Sequence, residues 1–508
     1  PLAATCLDRS NACAAQKDAI GQKSYAVLTY QMWALLPGFC INPTDLATSF
    51  KGLARILGVQ LDQRKELRLD ILTGLRHLIS RNLEHSENRA ELARYAKNYL
   101  PILFNLYTAV PAGSEEAGQR LAAMETVKLY FQIADTALLQ TMFDKALEKY
   151  KTETVQFTKD AIMDLLRSLI PYIDISRVSI LFTETMSGMT SKDHKEQKKS
   201  YRLLEELCRG PSQATKEFLV TALPELQTSL LSSLSAASPS SQAPRLRCLI
   251  SILGQLEEPN QTFALALIPE AVLSIRAVNS KARKAAFTLL VGVGEALQRW
   301  SQADNSMDQV ITQYMSCLLA GLAGNPGLIH CTVLAVSRIY FQFRDIFPDN
   351  LIDQVLNNIL LLLSSSSREV AGAALSFIKV FVTSTPLLAA SKFVPGIVSA
   401  LVTMPEDCKR HFRVKTKFLL ERLTRKFGWD FVSSLVPKSD INMHKRLRNM
   451  RKELARRART VSEDSGNDED DLSLGMKKKQ QTMEEILADS SDDDLGRRTF
   501  YWQKGKTN

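Results

Sequence analysis

Eight cations, Lys445, Arg446, Arg448, Arg451, Lys452, Arg456, Arg457 and Arg459, crowd the fifteen residues from 445 to 459. On a helix Lys445, Arg448, Lys452, Arg456 and Arg459 recur at spacings of three and four and so share one side, with Arg446, Arg451 and Arg457 flanking them. A stripe of this kind neutralises phosphates without reading bases, and no aromatic residue within it offers a stacking face. Contact with RNA is one reading. A nuclear-import signal is a second, compatible with the first, because adaptors of import bind Lys/Arg clusters. Inert charge at a helix end is the third.

The charge is local. The chain carries a formal net charge of +10. From Lys409 to Arg459, 17 Lys or Arg face four acids, Glu421, Asp430, Asp440 and Glu453, so the remainder is slightly acidic. A basic block on a nearly neutral body implies a localised anionic partner. Beyond it six acids fall between Glu463 and Asp471, and a second acidic run follows in EEILADSSDDD. These runs place Ser465, Ser490 and Ser491 where acid-directed phosphorylation would act.

Other chemistry is missing. HExxH, P-loop, GxSxG, protein-kinase and EF-hand patterns are absent, which argues against an enzyme, and nothing calls for a cofactor. Gly292-Val293-Gly294 lies within a helical pattern rather than after a strand, so it reads as close helix packing. The six histidines are scattered, and His330 beside Cys331 is the one suggestive pair. Cysteines at 6, 13, 40, 208, 248, 317, 331 and 408 form no CxxC pair and indicate neither a disulfide framework nor a zinc site; they read as small buried apolar groups. The most apolar stretch, Val380 to Met404, is broken by Pro386, Lys392 and Pro395 and reads as two buried helices, so no membrane insertion is expected.

These residues need a scaffold. Hydrophobic residues make up 45% of the 508, and Gly and Pro together only 40 positions, which favours long helices. In RKELRLDILTGLRHLISRNL, Leu67, Ile71, Leu75, Leu78 and Ile79 mark one buried helix face. Pro224, Pro269 and Pro395 each read as lying early in a first helix, separated by 45 and 126 residues, the latter three times 42. A second helix follows, opening on Arg247, Arg283, Arg368 or Arg413 in successive segments. A period near 42 with that helix pair is the HEAT pattern of an all-α solenoid. The recurring arginines are expected to bind carbonyl ends or acids of neighbouring repeats.

The expected organisation is a helical segment over 1–61, HEAT-like repeats over 62–440, a basic helix over 441–459 too polar for the core, and an acidic, serine-rich, disordered tail over 460–508. Without an initiator Met, and beginning at Pro1, the sequence reads as a fragment.

Tyr30 to Gly58, YQMWALLPGFCINPTDLATSFKGLARILG, resembles a segment of the ribosomal RNA-processing protein 12 family through Trp33, the run Leu35 to Cys40, Pro43, Asp45, Phe50, Leu53 and Ala54. Physically this is a helix, a Pro-Gly turn and a second helix. The repeats, basic helix and acidic end are similar to the carboxy-terminal half of that family. The resemblance implies a non-enzymatic nucleolar scaffold in preribosome maturation and ribosomal-subunit export. It implies partners among preribosomal RNA, assembly proteins, Ran and the transport machinery, and a nuclear protein that shuttles to the cytoplasm. HEAT repeats alone would equally suit a karyopherin-like soluble transport receptor.

Overall fold

A computed structural model describes residues 2–301, 307–464 and 482–488. Every regular element among them is helical. By internal contacts the chain divides into two compact units, residues 1–248 and 249–508.

In the first unit α1 (Ala19–Ala34) and α2 (Leu46–Gln63) flank a one-turn helix, Leu36–Phe39, that contains Pro37 and Gly38. The expected turn is thus itself helical. It is pinned from α3 (Arg68–Arg81), where His77 Nδ1 lies 2.9 Å from the Pro37 carbonyl. Ile71, Leu75, Leu78 and Ile79 of α3, and Leu67 just before it, are all buried, as their spacing requires. Later elements of this unit are α4 (Gln156–Leu169), α5 (His194–Cys208) and α6 (Gln213–Ser232), and the boundary between the units falls within α7 (Gln242–Gln255).

Pro224 is not early in its helix: it occupies the middle of α6. Its missing N–H removes one helical bond to Val220, which lies on the solvent side at 73% exposure, where water can replace that bond. Pro269 and Pro395 do sit in the first turns of Ile268–Ser274 and Val394–Thr403, where no N–H partner is lost.

The second unit continues with α8 (Ser280–Ser301), α9 (Pro326–Phe343), α10 (Arg368–Ser384), α11 (Arg413–Phe427) and α12 (Ile441–Asp464). A short α13 (Met483–Ala488) packs against α10. Repeat is joined to repeat by side chains reaching back about one period. Arg299 donates to the Leu253 carbonyl 46 residues away, Tyr340 meets Thr385 at a separation of 45, and Lys426 donates to the Val382 carbonyl at 44. In the first unit Gln197 reaches Ala236 across 39 residues and Arg247 reaches Glu205 across 42. The period near 42 is therefore built into the hydrogen bonding as well as the packing.

The recurring arginines do much of this. Arg247 grips Glu205 with two bonds of 2.7 and 2.8 Å, and Arg368 grips Asp407 with two of 2.9 Å. Arg283 instead closes its own loop through the Ala277 and Val278 carbonyls. Arg413 departs from the pattern: it is exposed, and its backbone carbonyl serves as an acceptor.

Only one glycine of the Gly292–Gly294 pair is pressed. A Cβ on Gly294 would stand 2.5 Å from Phe343 Cε2, whereas one on Gly292 would meet nothing. Gly294→Ala should cost about 1–3 kcal/mol through overpacking. Gly292→Ala should gain about 0.5–1 kcal/mol from helix propensity. Urea unfolding of the two variants is expected to move in opposite directions; a shift of the same sign in both would contradict the close approach.

Two expectations about the carboxy-terminal part need correction. The basic helix extends to Asp464, and Met443, Leu447 and Met450 on it are buried, so its apolar stripe does enter the core. Of the stretch expected to be disordered from 460, the end of α12 and α13 are helical, with Met483 and Ile486 buried against Val380 and Phe341 and Leu487 alongside, while 465–481 and 489–508 lie outside the described residues. Ser465, Ser490 and Ser491 lie outside the described residues.

Candidate nucleic-acid interface

Helix α12 starts where Asp440 Oδ1 accepts the Met443 N–H at 2.9 Å, an N-cap that satisfies a free donor of the first turn. Met443, Leu447 and Met450 recur at four and three, and their burial commits that face to the core. Outward then point Lys445, Arg448, Arg451, Lys452 and Arg456, all exposed. The helix is also held electrostatically, by Lys417 Nζ to Glu453 Oε2 at 2.7 Å. Thus five cations stand on a helix anchored by its opposite face.

The eight candidates do not behave alike. Arg446 is half-buried and donates to the Arg413 carbonyl at 2.7 Å. Burial, and secondarily the Arg413 charge, lower its pKa from the usual arginine value. It joins α12 to α11 instead of offering charge to a ligand. Arg457 and Arg459 fall within the helix, but their side chains lie outside the described residues. Arg451 stands 5.8 Å from the Trp429 ring centre. An aromatic face therefore does adjoin the stripe, supplied from 22 residues upstream by the helix Trp429–Ser434. The sequence pattern could not place it, because the ring belongs to a separate helix and only the tertiary fold brings it alongside.

Elsewhere the suggestive pairs resolve into structure. His330 Nδ1 lies 3.1 Å from the Glu369 carbonyl, while Cys331 is buried and its thiol pKa is raised by that burial. Cys40, Cys208, Cys248 and Cys408 are buried too, with the Cys40 thiol pushed up to about 11, but Cys317 is exposed and Cys6 and Cys13 half-buried. No group of three potential metal ligands occurs among the described residues. No described helix is long and apolar enough to cross a membrane.

Helix pairs tied at intervals near forty residues define an α-solenoid of the HEAT type that carries a cation-bearing helix. Residues 1–110 match the family model described as "Ribosomal RNA-processing protein 12, HEAT repeats", so the HEAT pattern already covers the amino-terminal segment expected to precede it. The chain is 38% identical to the RRP12-like protein of Gallus gallus over 96% of its own length and 38% of that protein's. To the RRP12-like protein of Homo sapiens it is likewise 38% identical, over 90% of this chain and 35% of the relative. The resemblance read from Tyr30 to Gly58 thus holds over nearly the whole chain, which spans well under half the length of these relatives. Among solved structures, yeast importin-beta (Kap95p) superposes with a TM-score of 0.51 at 13% identity, covering 93% of this chain and 58% of that one; the likeness is one of fold.

Proposed function

We propose that the chain is the repeat-bearing part of a non-enzymatic nucleolar scaffold in preribosome maturation, which binds preribosomal RNA and assembly proteins and accompanies subunits toward export. One observation carries the reading: a chain similar almost end to end to RRP12-like proteins presents five exposed cations on a helix whose other face is locked into the core. Cations on a helix that is already anchored spare the backbone-ordering cost that a loose basic segment would meet on binding phosphates. The helical units then supply surface for protein neighbours, as stacked repeats commonly do.

The class of function is tested by sedimentation. In a cell extract the chain should travel with preribosomal particles and shift to light fractions after ribonuclease treatment. Confinement to light fractions, with bound cargo released by Ran in its GTP form, would favour a karyopherin-like receptor and overturn the scaffold.

A further inference from the structure

Two adjoining clefts in the first unit share the side chains of Arg167 on α4 and Arg202 on α5. The first, of about 290 Å³, is completed by Glu205, Glu206, Arg209 and Arg247. The second, of about 380 Å³, is completed by Tyr107, Leu121, Met124, Glu125, Lys128 and Asp164. Neither cleft takes part in the interface described above.

Pairing within the clefts leaves two cations over. Glu205 is already engaged by two cations, accepting from Arg209 Nη2 at 2.9 Å and from Arg247 Nε and Nη2 at 2.7 and 2.8 Å. Glu206 lies 3.5 Å from Arg209 Nη1 and Glu125 2.7 Å from Lys128 Nζ. Asp164 is held by Lys199 and by the Tyr107 hydroxyl, the latter at 3.1 Å. The guanidinium groups of Arg167 and Arg202, both half-buried residues, make no hydrogen bond or ion pair among the described residues. A guanidinium partly withdrawn from water without a counter-ion is costly, and two on successive repeats facing one cleft form a ready fork for a dianion or paired carboxylates.

The neighbouring cleft indicates what carries the anion. Its apolar wall is aliphatic: Leu121 is 63% exposed, and Met124 lies beside it. Its aromatic residue, Tyr107, is buried, with the Arg120 guanidinium 4.2 Å from the ring centre and its hydroxyl on Asp164. No aromatic face is left there for a nucleobase, and carboxylates on both sides disfavour a continuous run of phosphates. We propose that the paired clefts bind a peptide segment of a protein partner, a phosphoserine or a cluster of carboxylates engaging Arg167 and Arg202 while an adjacent aliphatic side chain rests on Leu121 and Met124. This site is independent of the ribosomal reading and of α12.

The test uses the 508-residue chain and degenerate nonapeptide libraries with phosphoserine, Glu or Ser fixed at the centre. Binding is expected to fall in that order, with phosphoserine favoured over Ser by at least about tenfold and Leu, Ile or Met selected at a flanking position. R167Q/R202Q should remove the preference, and R167K/R202K should keep only part of it, since lysine retains charge but not the fork. L121D, at an exposed position, should abolish the aliphatic selection alone. Equal binding of the three libraries would overturn the proposal, as would an undiminished preference in R167Q/R202Q. So would a twelve-residue oligouridylate that displaces the peptides and itself requires both arginines, an outcome that reassigns the clefts to RNA.

Discussion

Replacing Arg448, Arg451, Lys452 and Arg456 with Gln is expected to flatten the salt dependence of RNA binding from a log-log slope of about −3.5 to about −0.7. Those figures follow from five exposed cations on α12, each releasing about 0.7 counterion from a single strand, reduced to Lys445 alone in the variant. For the unaltered chain, raising salt fourfold should weaken binding roughly a hundredfold. Different RNA sequences should suffer alike, because phosphates carry no base identity. The fold should survive, since Met443, Leu447 and Met450 anchor the helix by its other face. Unchanged affinity and slope would remove α12 from RNA binding; retention of that variant in the cytoplasm would then identify the stripe as an import signal.

Truncating Arg245 should be the most damaging single change in the first unit. The side chain is fully buried, and its Nη1 donates to Tyr201 Oη at 3.0 Å and Ser233 Oγ at 2.9 Å while Nη2 donates to the Leu230 carbonyl at 2.6 Å. One guanidinium therefore fastens α5, the end of α6 and α7 together. Arg245→Ala removes all three bonds and opens a cavity, leaving only the longer Tyr201–Ser233 and Ser233–Leu230 hydrogen bonds of 3.3 and 3.2 Å, with an expected loss of about 3–5 kcal/mol. Arg245→Met keeps most of the volume and should lose less. Urea denaturation followed by circular dichroism reads the difference; equal, small shifts for both would mean the bonds contribute little.

That arginine marks where sequence reasoning stopped. In PRLRCLIS the repeat pattern singles out Arg247, which does pair with Glu205, yet Arg245 two residues earlier is the one enclosed. Two positions on a helix differ by about 200° in direction, and only the neighbouring repeat determines which side is interior. The helices and their period were legible because apolar spacing is a local property, as Ile71 and Leu75 show. The anchoring of α13 was hidden for the opposite reason: Met483, Ile486 and Leu487 have helical spacing, but the surrounding acids dominate any average over the tail. Likewise the outward cations of α12 were legible as a stripe, whereas the turn of Arg446 toward the Arg413 carbonyl depends on how α11 lies beside it.

The two unlike faces of α12 bear on growth as well as on binding. A stack of helix pairs has no intrinsic length: any apolar face left at its end can accept another layer, including one from a second molecule, and such head-to-tail addition leads to filaments. Helix α12 spends its apolar residues inward and turns Lys445, Arg448, Lys452 and Arg456 outward. A further layer would have to bury those charges, and a second copy would meet its own like charge. On this face, then, the chain offers charge instead of an apolar layer on which a second copy could stack.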